Sequence, residues 1–176
     1  MDARVTIWGF GSIAKTLTPI LQALGAHVEG IATYGGTRAG VPVSAGDAAA
    51  SLLERTDLLL MILPNTPHNY RLVGARQLAC LPKHAWLVNV GRGSTLDGDA
   101  LVSALGDGDL AGAALDVFEE EPLPPTSPLW QLENVIITPH ASGGRPLGAQ
   151  DLVLYNLARL QAGEPLENVI ERDRGY

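Results

Sequence analysis

Val5-Thr6-Ile7-Trp8-Gly9-Phe10-Gly11-Ser12-Ile13-Ala14 is the stretch that decides the fold. Val5, Ile7 and Trp8 make a short apolar run that stops at Gly9. From Ile13 onward apolar residues recur at helical spacing (Leu17, Ile20, Leu21, Leu24), and Gly25 ends that pattern. Pro19 sits inside it and is expected to kink the helix. A strand passing through a glycine turn into a helix is the opening of a βαβ unit. The turn has the form GxGxxA, in which the glycines allow a tight bend and close approach of backbone to pyrophosphate. The helix start adds free N–H groups and the positive end of the macrodipole. With 20 glycines in the chain, such a triplet alone says little. Its place between strand and helix gives it weight, so phosphate binding by Gly9, Gly11, Ser12 and Ile13 is expected ahead of a turn kept for packing.

The same alternation continues outward. Val28–Ala32 is predicted as a strand, and Asp47 as the cap of a short helix through Leu53. Leu58–Leu63 is an apolar run closed by Pro64, the pattern of a strand buried on both faces. A helix around Val73–Leu81 precedes a strand at Trp86–Val90. Asp97 is placed to cap a helix over Ala100–Leu105, closed by Gly106 and Gly108. Strands at Ala111–Val117 and Val135–Thr138 follow, then a helix over Ala149–Ala162 that ends at Gly163. Strands alternating with helices imply the α/β class: a Rossmann-type doubly wound parallel sheet in three αβα layers. The organisation expected is a dinucleotide-binding domain over residues 1–148, followed by a C-terminal helix and tail over 149–176.

Composition excludes several classes. Hydrophobic residues make up 46% and charged residues 18%, which suits an aliphatic sheet under helices and not a disordered chain. The net charge of −7, with no basic stripe, would repel a phosphate backbone, so no nucleic-acid partner is expected. No run approaches the length of a membrane span, and the apolar N-terminus is broken by glycines and led only by Arg4, unlike a signal peptide. No membrane association and a cytoplasmic location are expected. Cys80 is the single cysteine, in an apolar run, and reads as a packed thiol. No metal is expected.

In this fold class ligands bind outside the carboxyl ends of the strands. The glycine fingerprint is normally partnered by an acid at the end of the second strand, bound to the adenosine ribose. Here that place holds Ala32 and Thr33, followed by Tyr34-Gly35-Gly36-Thr37-Arg38. Hydroxyls and an arginine without an acid suit a 2′-phosphate, so Thr33 and Arg38 tilt the expectation within NAD(P) toward NADP. Arg38 as a solvated loop residue is the plainer alternative. Three further residues follow three different strands: Arg92 after Trp86–Val90, Glu121 after the strand ending at Val117, and His140 after Val135–Thr138. Singly each has a bland reading; together they share the rim that carries the glycine loop. A histidine exchanges protons at neutral pH, a carboxylate beside it favours the imidazolium and fixes the ring, and a guanidinium grips a carboxylate or polarises a carbonyl. With a nicotinamide pocket, that set describes hydride transfer to a 2-keto acid.

Asn89-Val90-Gly91-Arg92-Gly93-Ser94-Thr95-Leu96-Asp97, Gly112-Ala113-Ala114-Leu115-Asp116-Val117-Phe118-Glu119-Glu120-Glu121-Pro122 and Thr138-Pro139-His140-Ala141-Ser142-Gly143 closely resemble the signatures of the D-isomer-specific 2-hydroxyacid dehydrogenases. That family includes phosphoglycerate dehydrogenase, glyoxylate/hydroxypyruvate reductases and D-lactate dehydrogenase. The resemblance implies that Arg92 binds the substrate's carboxylate and carbonyl. It makes His140 the proton donor and Glu121, directly before Pro122, its partner. It implies that Asp116 holds the nicotinamide carboxamide and that Pro64, in Leu63-Pro64-Asn65-Thr66-Pro67, passes near the cofactor ribose. Val90, Gly91, His140, Ser142 and Gly143 fall in the matched cofactor segments. The small 2-keto or 2-hydroxy acid would be glyoxylate, hydroxypyruvate or a phosphoglycerate-like compound, and a homodimer is expected because members usually dimerise through this domain. The family's chains begin with a substrate domain, expected to be absent here, while Asn168–Tyr176 is similar to the ending that packs against it. The competing reading is a dinucleotide-binding sensor or scaffold without turnover, because the family also contains corepressors.

Overall fold

Each apolar run of the N-terminal portion becomes a strand whose alternate side chains enter different cores. In β1 (Arg4–Trp8), Val5 and Ile7 join one buried cluster and Trp8 another. In β5 (Leu58–Met61), Leu60 joins the first cluster, while Leu59 and Met61 join the second. Successive strand residues point to opposite faces, so two cores on one sheet mean three layers. Burying each of Leu59, Leu60 and Met61 contributes roughly 2 kcal/mol. The computed structural model describes residues 2–143 and 147–170, without the side chain of Asp47.

The chain divides into two compact units, Met1–His140 and Ala141–Tyr176. The first holds an eight-stranded sheet in the order β3-β4-β2-β1-β5-β6-β7-β8. The remaining strands are β2 (His27–Ala32), β3 (Gly36–Arg38), β4 (Val41–Ala45), β6 (Trp86–Asn89), β7 (Gly112–Leu115) and β8 (Val135–Ile137). Helix α1 (Ser12–Ala23) contributes Ala14 to one core. Helices α2 (Ala49–Leu53), α3 (Ala75–Leu78) and α4 (Gly98–Gly106) contribute Leu52, Leu53, Leu78, Leu101 and Leu105 to the other. The chain builds outward from β1 through β2 to β4, then returns to β5 on the far side of β1. Strand order therefore reverses at β1, where this architecture opens a crevice.

Several expectations shift. The sheet is mostly parallel, but β3 runs antiparallel to β4. Arg38 pairs with Val41 across Ala39 and Gly40, both at positive φ (+50° and +76°), the geometry of a two-residue hairpin turn. α1 continues through Pro19. Its buried residues are Ala14 and Thr18, while Ile13, Ile20 and the C-cap Leu24, which marked the helical spacing, are exposed. β5 ends at Met61, two residues early, and the helix around Val73–Leu81 shrinks to Ala75–Leu78. Asp97 caps α4 as expected, accepting the Ala100 N–H at 3.2 Å. The side chain of Asp47, expected to cap α2, lies outside the described residues.

The second unit contains α5 (Ala149–Ala162), which stops at Gly163 with φ +70°. Asn156 then braces the following turn: its Nδ2 donates to the Glu167 carbonyl at 3.0 Å, and its Oδ1 accepts the Glu167 N–H at 2.9 Å. The tail residues 171–176 lie outside the described residues. Among the described residues no helix is long and apolar enough to cross a membrane, and no group of three or more His, Cys, Asp or Glu could hold a metal ion.

Candidate active site

The turn after β1 is built for close approach. Gly9 has φ +101°, and a Cβ there would stand 2.4 Å from the Ile62 carbonyl oxygen. Its N–H donates to Ile31 at 3.0 Å, tying the turn to β2. Gly11, by contrast, has no atom within 4 Å of where a Cβ would be. It precedes α1, whose start has no side-chain cap and no acid in its first turn. Uncapped amides, the dipole's positive end and open space over Gly11 fit a pyrophosphate, with Ser12 and Ile13 exposed beside it.

The β3–β4 hairpin brings Arg38 to this turn. Its Nη1 donates to the Phe10 carbonyl at 3.0 Å and its Nη2 to the Tyr34 carbonyl at 2.8 Å. Arg38 is therefore a half-buried strand residue bridging the glycine loop and the end of β2, where Thr33 is exposed. The alternative of a solvated loop arginine does not hold, and the strand itself went unread because three residues carry too little pattern to register.

Arg92 lies beyond β6, and the two glycines around it set its loop against two others. A Cβ on Gly91 would stand 2.6 Å from the Leu63 amide nitrogen, and one on Gly93 would stand 1.9 Å from the Phe118 carbonyl carbon. Arg92 itself is exposed, with Nη1 donating to the Gly91 carbonyl at 2.7 Å. Pro64 is half-buried, and its carbonyl accepts from Asn69 Nδ2 at 3.0 Å. Val90, half-buried, continues the β6 ladder by donating its N–H to Met61 at 3.2 Å.

Glu121 and His140 meet. His140 Nδ1 lies 2.8 Å from Glu121 Oε2, and Glu121 Oε1 accepts the Phe118 N–H at 2.9 Å. The His140 hydrogen bond, then the Phe118 amide, hold the Glu121 carboxyl below its ordinary range. The charge of Arg92 acts in the same direction, and partial burial opposes it. Glu121 is therefore an ionised carboxylate within the field of Arg92, and it fixes the imidazole through Nδ1. His140 adopts φ +51°, an uncommon conformation for a residue with a side chain. Its N–H donates to the Asp116 carbonyl at 2.9 Å, which holds that turn in place. Asp116 is buried at 3% exposure, and its Oδ1 accepts from Thr138 Oγ1 at 2.5 Å.

Arg92, Glu121, His140 and Asp116 thus belong to one cluster at the carboxyl ends of β6, β7 and β8. Ser142 and Gly143 fall in the second unit. The sequence reading left four residues without a role. Thr138 holds Asp116, and Asn89 and Thr95 brace the Arg92 loop. Glu119 accepts from Tyr70 Oη at 2.8 Å and Arg71 Nη2 at 3.0 Å. The last contact explains why neighbouring glutamates differ: Glu119 ties down the 64–73 loop, and Glu121 reaches the histidine. A hydroxyl two residues before a functional histidine was the available signal for Thr138.

Comparison with known proteins agrees with this geometry. Residues 1–142 match the description "D-isomer specific 2-hydroxyacid dehydrogenase, NAD binding domain". A Xanthobacter autotrophicus D-isomer specific 2-hydroxyacid dehydrogenase, solved with NADPH, superposes with a TM-score of 0.93 at 38% identity, covering 99% of this chain and 73% of that one. The NADPH-dependent glyoxylate/hydroxypyruvate reductase of Sinorhizobium meliloti, solved with NADP and sulfate, gives a TM-score of 0.92 at 33% identity over 99% of this chain and 57% of that one. A Corynebacterium melassecola protein, the uncharacterized protein in the proB 3′ region, is 37% identical over 180 residues. That alignment takes in 99% of this chain and 59% of the Corynebacterium protein, so the chain spans less than two thirds of that relative's length. Its doubly wound sheet is the fold these solved relatives share, and the chain belongs to the D-isomer specific 2-hydroxyacid dehydrogenase family.

Proposed function

We propose that this chain forms the dinucleotide-binding half of an oxidoreductase that interconverts a small 2-keto acid and its D-2-hydroxy acid. The observation that carries the reading is the 2.8 Å Glu121–His140 pair within the field of Arg92, on the rim that also holds the uncapped start of α1. A bound dihydronicotinamide supplies the hydride. The chain's own residues do the rest. Arg92 grips the substrate carboxylate and polarises the keto group, and the guanidinium fork suits both tasks. His140, oriented through Nδ1, delivers a proton from Nε2 to the keto oxygen, so the carbonyl gains one hydride and one proton. Asp116 receives the carboxamide, and Pro64, Val90 and Gly91 complete the cofactor's surroundings on this unit. Glyoxylate and hydroxypyruvate, substrates named for the Sinorhizobium relative, are the first acids to try. Residues 149–176 form a separate C-terminal segment that packs on the substrate-binding part of the complete protein, which works as a cytoplasmic homodimer.

Arg38 favours NADP. Two backbone carbonyls hold its guanidinium beside the glycine loop, and no acid at the end of β2 opposes a 2′-phosphate. Relatives were solved with NADPH and NADP. The test is NADPH and NADH oxidation by the full-length protein with glyoxylate or hydroxypyruvate, for the native sequence and Arg38→Ala. Turnover with NADPH preferred is expected, and Arg38→Ala should raise the KM for NADPH about tenfold, the scale of one charge-assisted contact, with little change for NADH. Tight dinucleotide binding without oxidation across a panel of 2-keto acids would favour a sensor module instead. A native preference for NADH would overturn the role given to Arg38.

A further inference from the structure

Asn89 and Thr95 are polar, buried at 0% exposure, and take no part in the chemistry described above. Their side chains converge on one atom, the carbonyl oxygen of Arg92. Thr95 Oγ1 donates to it at 2.7 Å and Asn89 Nδ2 at 3.3 Å, with the Thr95 N–H adding a third bond at 3.1 Å. The other end of the Asn89 amide accepts the Gly91 N–H at 3.1 Å. Only one orientation of the amide satisfies both contacts, so Asn89 spans the loop as a two-ended strut. Gly91 in turn supplies the carbonyl that holds Arg92 Nη1 at 2.7 Å. One buried side chain thus holds the Val90–Gly91 peptide through its N–H and the Arg92–Gly93 peptide through its carbonyl, one on each side of the Gly91–Arg92 link. Arg92 stays extended (φ −141°, ψ 136°) while the chain enters a 3₁₀ turn immediately after it, at Gly93–Thr95. The backbone of Asn89 reaches the rest of the cluster, because its carbonyl accepts the Asp116 N–H at 3.0 Å and Asp116 accepts the His140 N–H at 2.9 Å.

Resting on the reading of Arg92 as the group that grips the substrate carboxylate, we propose that Asn89 and Thr95 are positioning residues that set the Arg92 guanidinium for that carboxylate. A purely apolar pair at these places would fill the same space but remove the side-chain bonds to two loop peptides, leaving only the Thr95 N–H of the three bonds to the Arg92 carbonyl. A long arginine on an unfixed peptide loses the registration that a two-point grip demands. The cleanest probe is Thr95→Val, which keeps the shape and removes one donor, with Thr95→Ser as the variant that restores it.

The experiment measures kcat and KM for the 2-keto acid, KM for NADPH, and Tm, in the full-length protein carrying Thr95→Val, Thr95→Ser, Arg92→Lys and the Thr95→Val/Arg92→Lys pair. Thr95→Val is expected to lower kcat/KM for the acid about tenfold, the equivalent of one buried hydrogen bond, with KM for NADPH unchanged and Thr95→Ser close to native. On the Arg92→Lys background Thr95→Val should add little, because its effect passes through the guanidinium fork. A lowered Tm with native kcat/KM would overturn the proposal, as would a full Thr95→Val loss that persists beside Arg92→Lys. Arg92→Lys with native kinetics would instead remove the role assigned to Arg92, and this proposal with it.

Discussion

Replacing His140 with alanine is expected to lower 2-keto acid reduction by the full-length protein about 10³-fold, the scale of a lost general acid. Dinucleotide affinity, measured by titration, should stay close to native, because the phosphates are expected at the turn at Gly9–Ile13, on a different loop. The backbone at His140 is expected to hold, since its N–H bond to Asp116 does not involve the ring. Glu121→Gln should lose less, because the glutamine keeps one acceptor for Nδ1 but no charge. The pH dependence follows from the sign of the Glu121 shift. Its folded value is depressed by His140 and Phe118, so the Glu121 carboxylate is fully ionised above the ordinary glutamate range. Its contribution fades as pH falls through that lowered value. Acid loss of activity caused by Glu121 therefore belongs below the ordinary glutamate range. Activity that survives His140→Ala at native rate would mean that the proton comes from elsewhere.

The second large effect is expected at Gly93, which has no side chain to offer a substrate. A Cβ there would stand 1.9 Å from the Phe118 carbonyl carbon and 2.1 Å from its oxygen. Backbone cannot swing aside as a side chain does, so Gly93→Ala must push the Arg92 loop away from Phe118. The Phe118 N–H is one of two bonds that hold Glu121. One methyl group therefore displaces the guanidinium and the carboxylate together. Gly93→Ala is expected to cut kcat/KM more than about 10²-fold, the scale of misplaced reacting groups. It should also lower stability by roughly 3 kcal/mol, as overpacking a tight site does. Gly106→Ala is the control: a Cβ there meets no atom within 4 Å, and native kinetics with equal or slightly higher Tm are expected. Equal effects at Gly93 and Gly106 would show that the close approach carries no function.

Much of this architecture was legible before any coordinates. The run Leu58–Leu63 has the pattern of a strand buried on both faces, and the order of apolar runs and helical stretches pointed to the winding. Arg92, a glutamate of the run Glu119–Glu121 and His140 could be placed because three strands deliver them to one rim, a property of strand direction, and the resemblance at Glu121-Pro122 chose among the three glutamates. Other features were hidden for physical reasons. The hairpin that carries Arg38 depends on two left-handed residues, one of them Ala39, and alanine gives no turn signal. The apolar spacing of Ile13, Ile20 and Leu24 located a helix but not its buried side, where the small Ala14 and Thr18 are fully buried. Thr95 and Asn89 look like ordinary loop and strand residues until their hydrogen bonds to the Arg92 carbonyl are seen.

The most direct measurement is a crystal structure of the full-length protein with NADPH and a non-reacting analogue of a 2-keto acid. Expected are pyrophosphate against the amides at Gly11–Ile13, the analogue's carboxylate on the Arg92 guanidinium, and its second oxygen at hydrogen-bonding distance from His140 Nε2. Nucleotide on the glycine turn with the analogue bound away from both Arg92 and His140 would contradict the assignment.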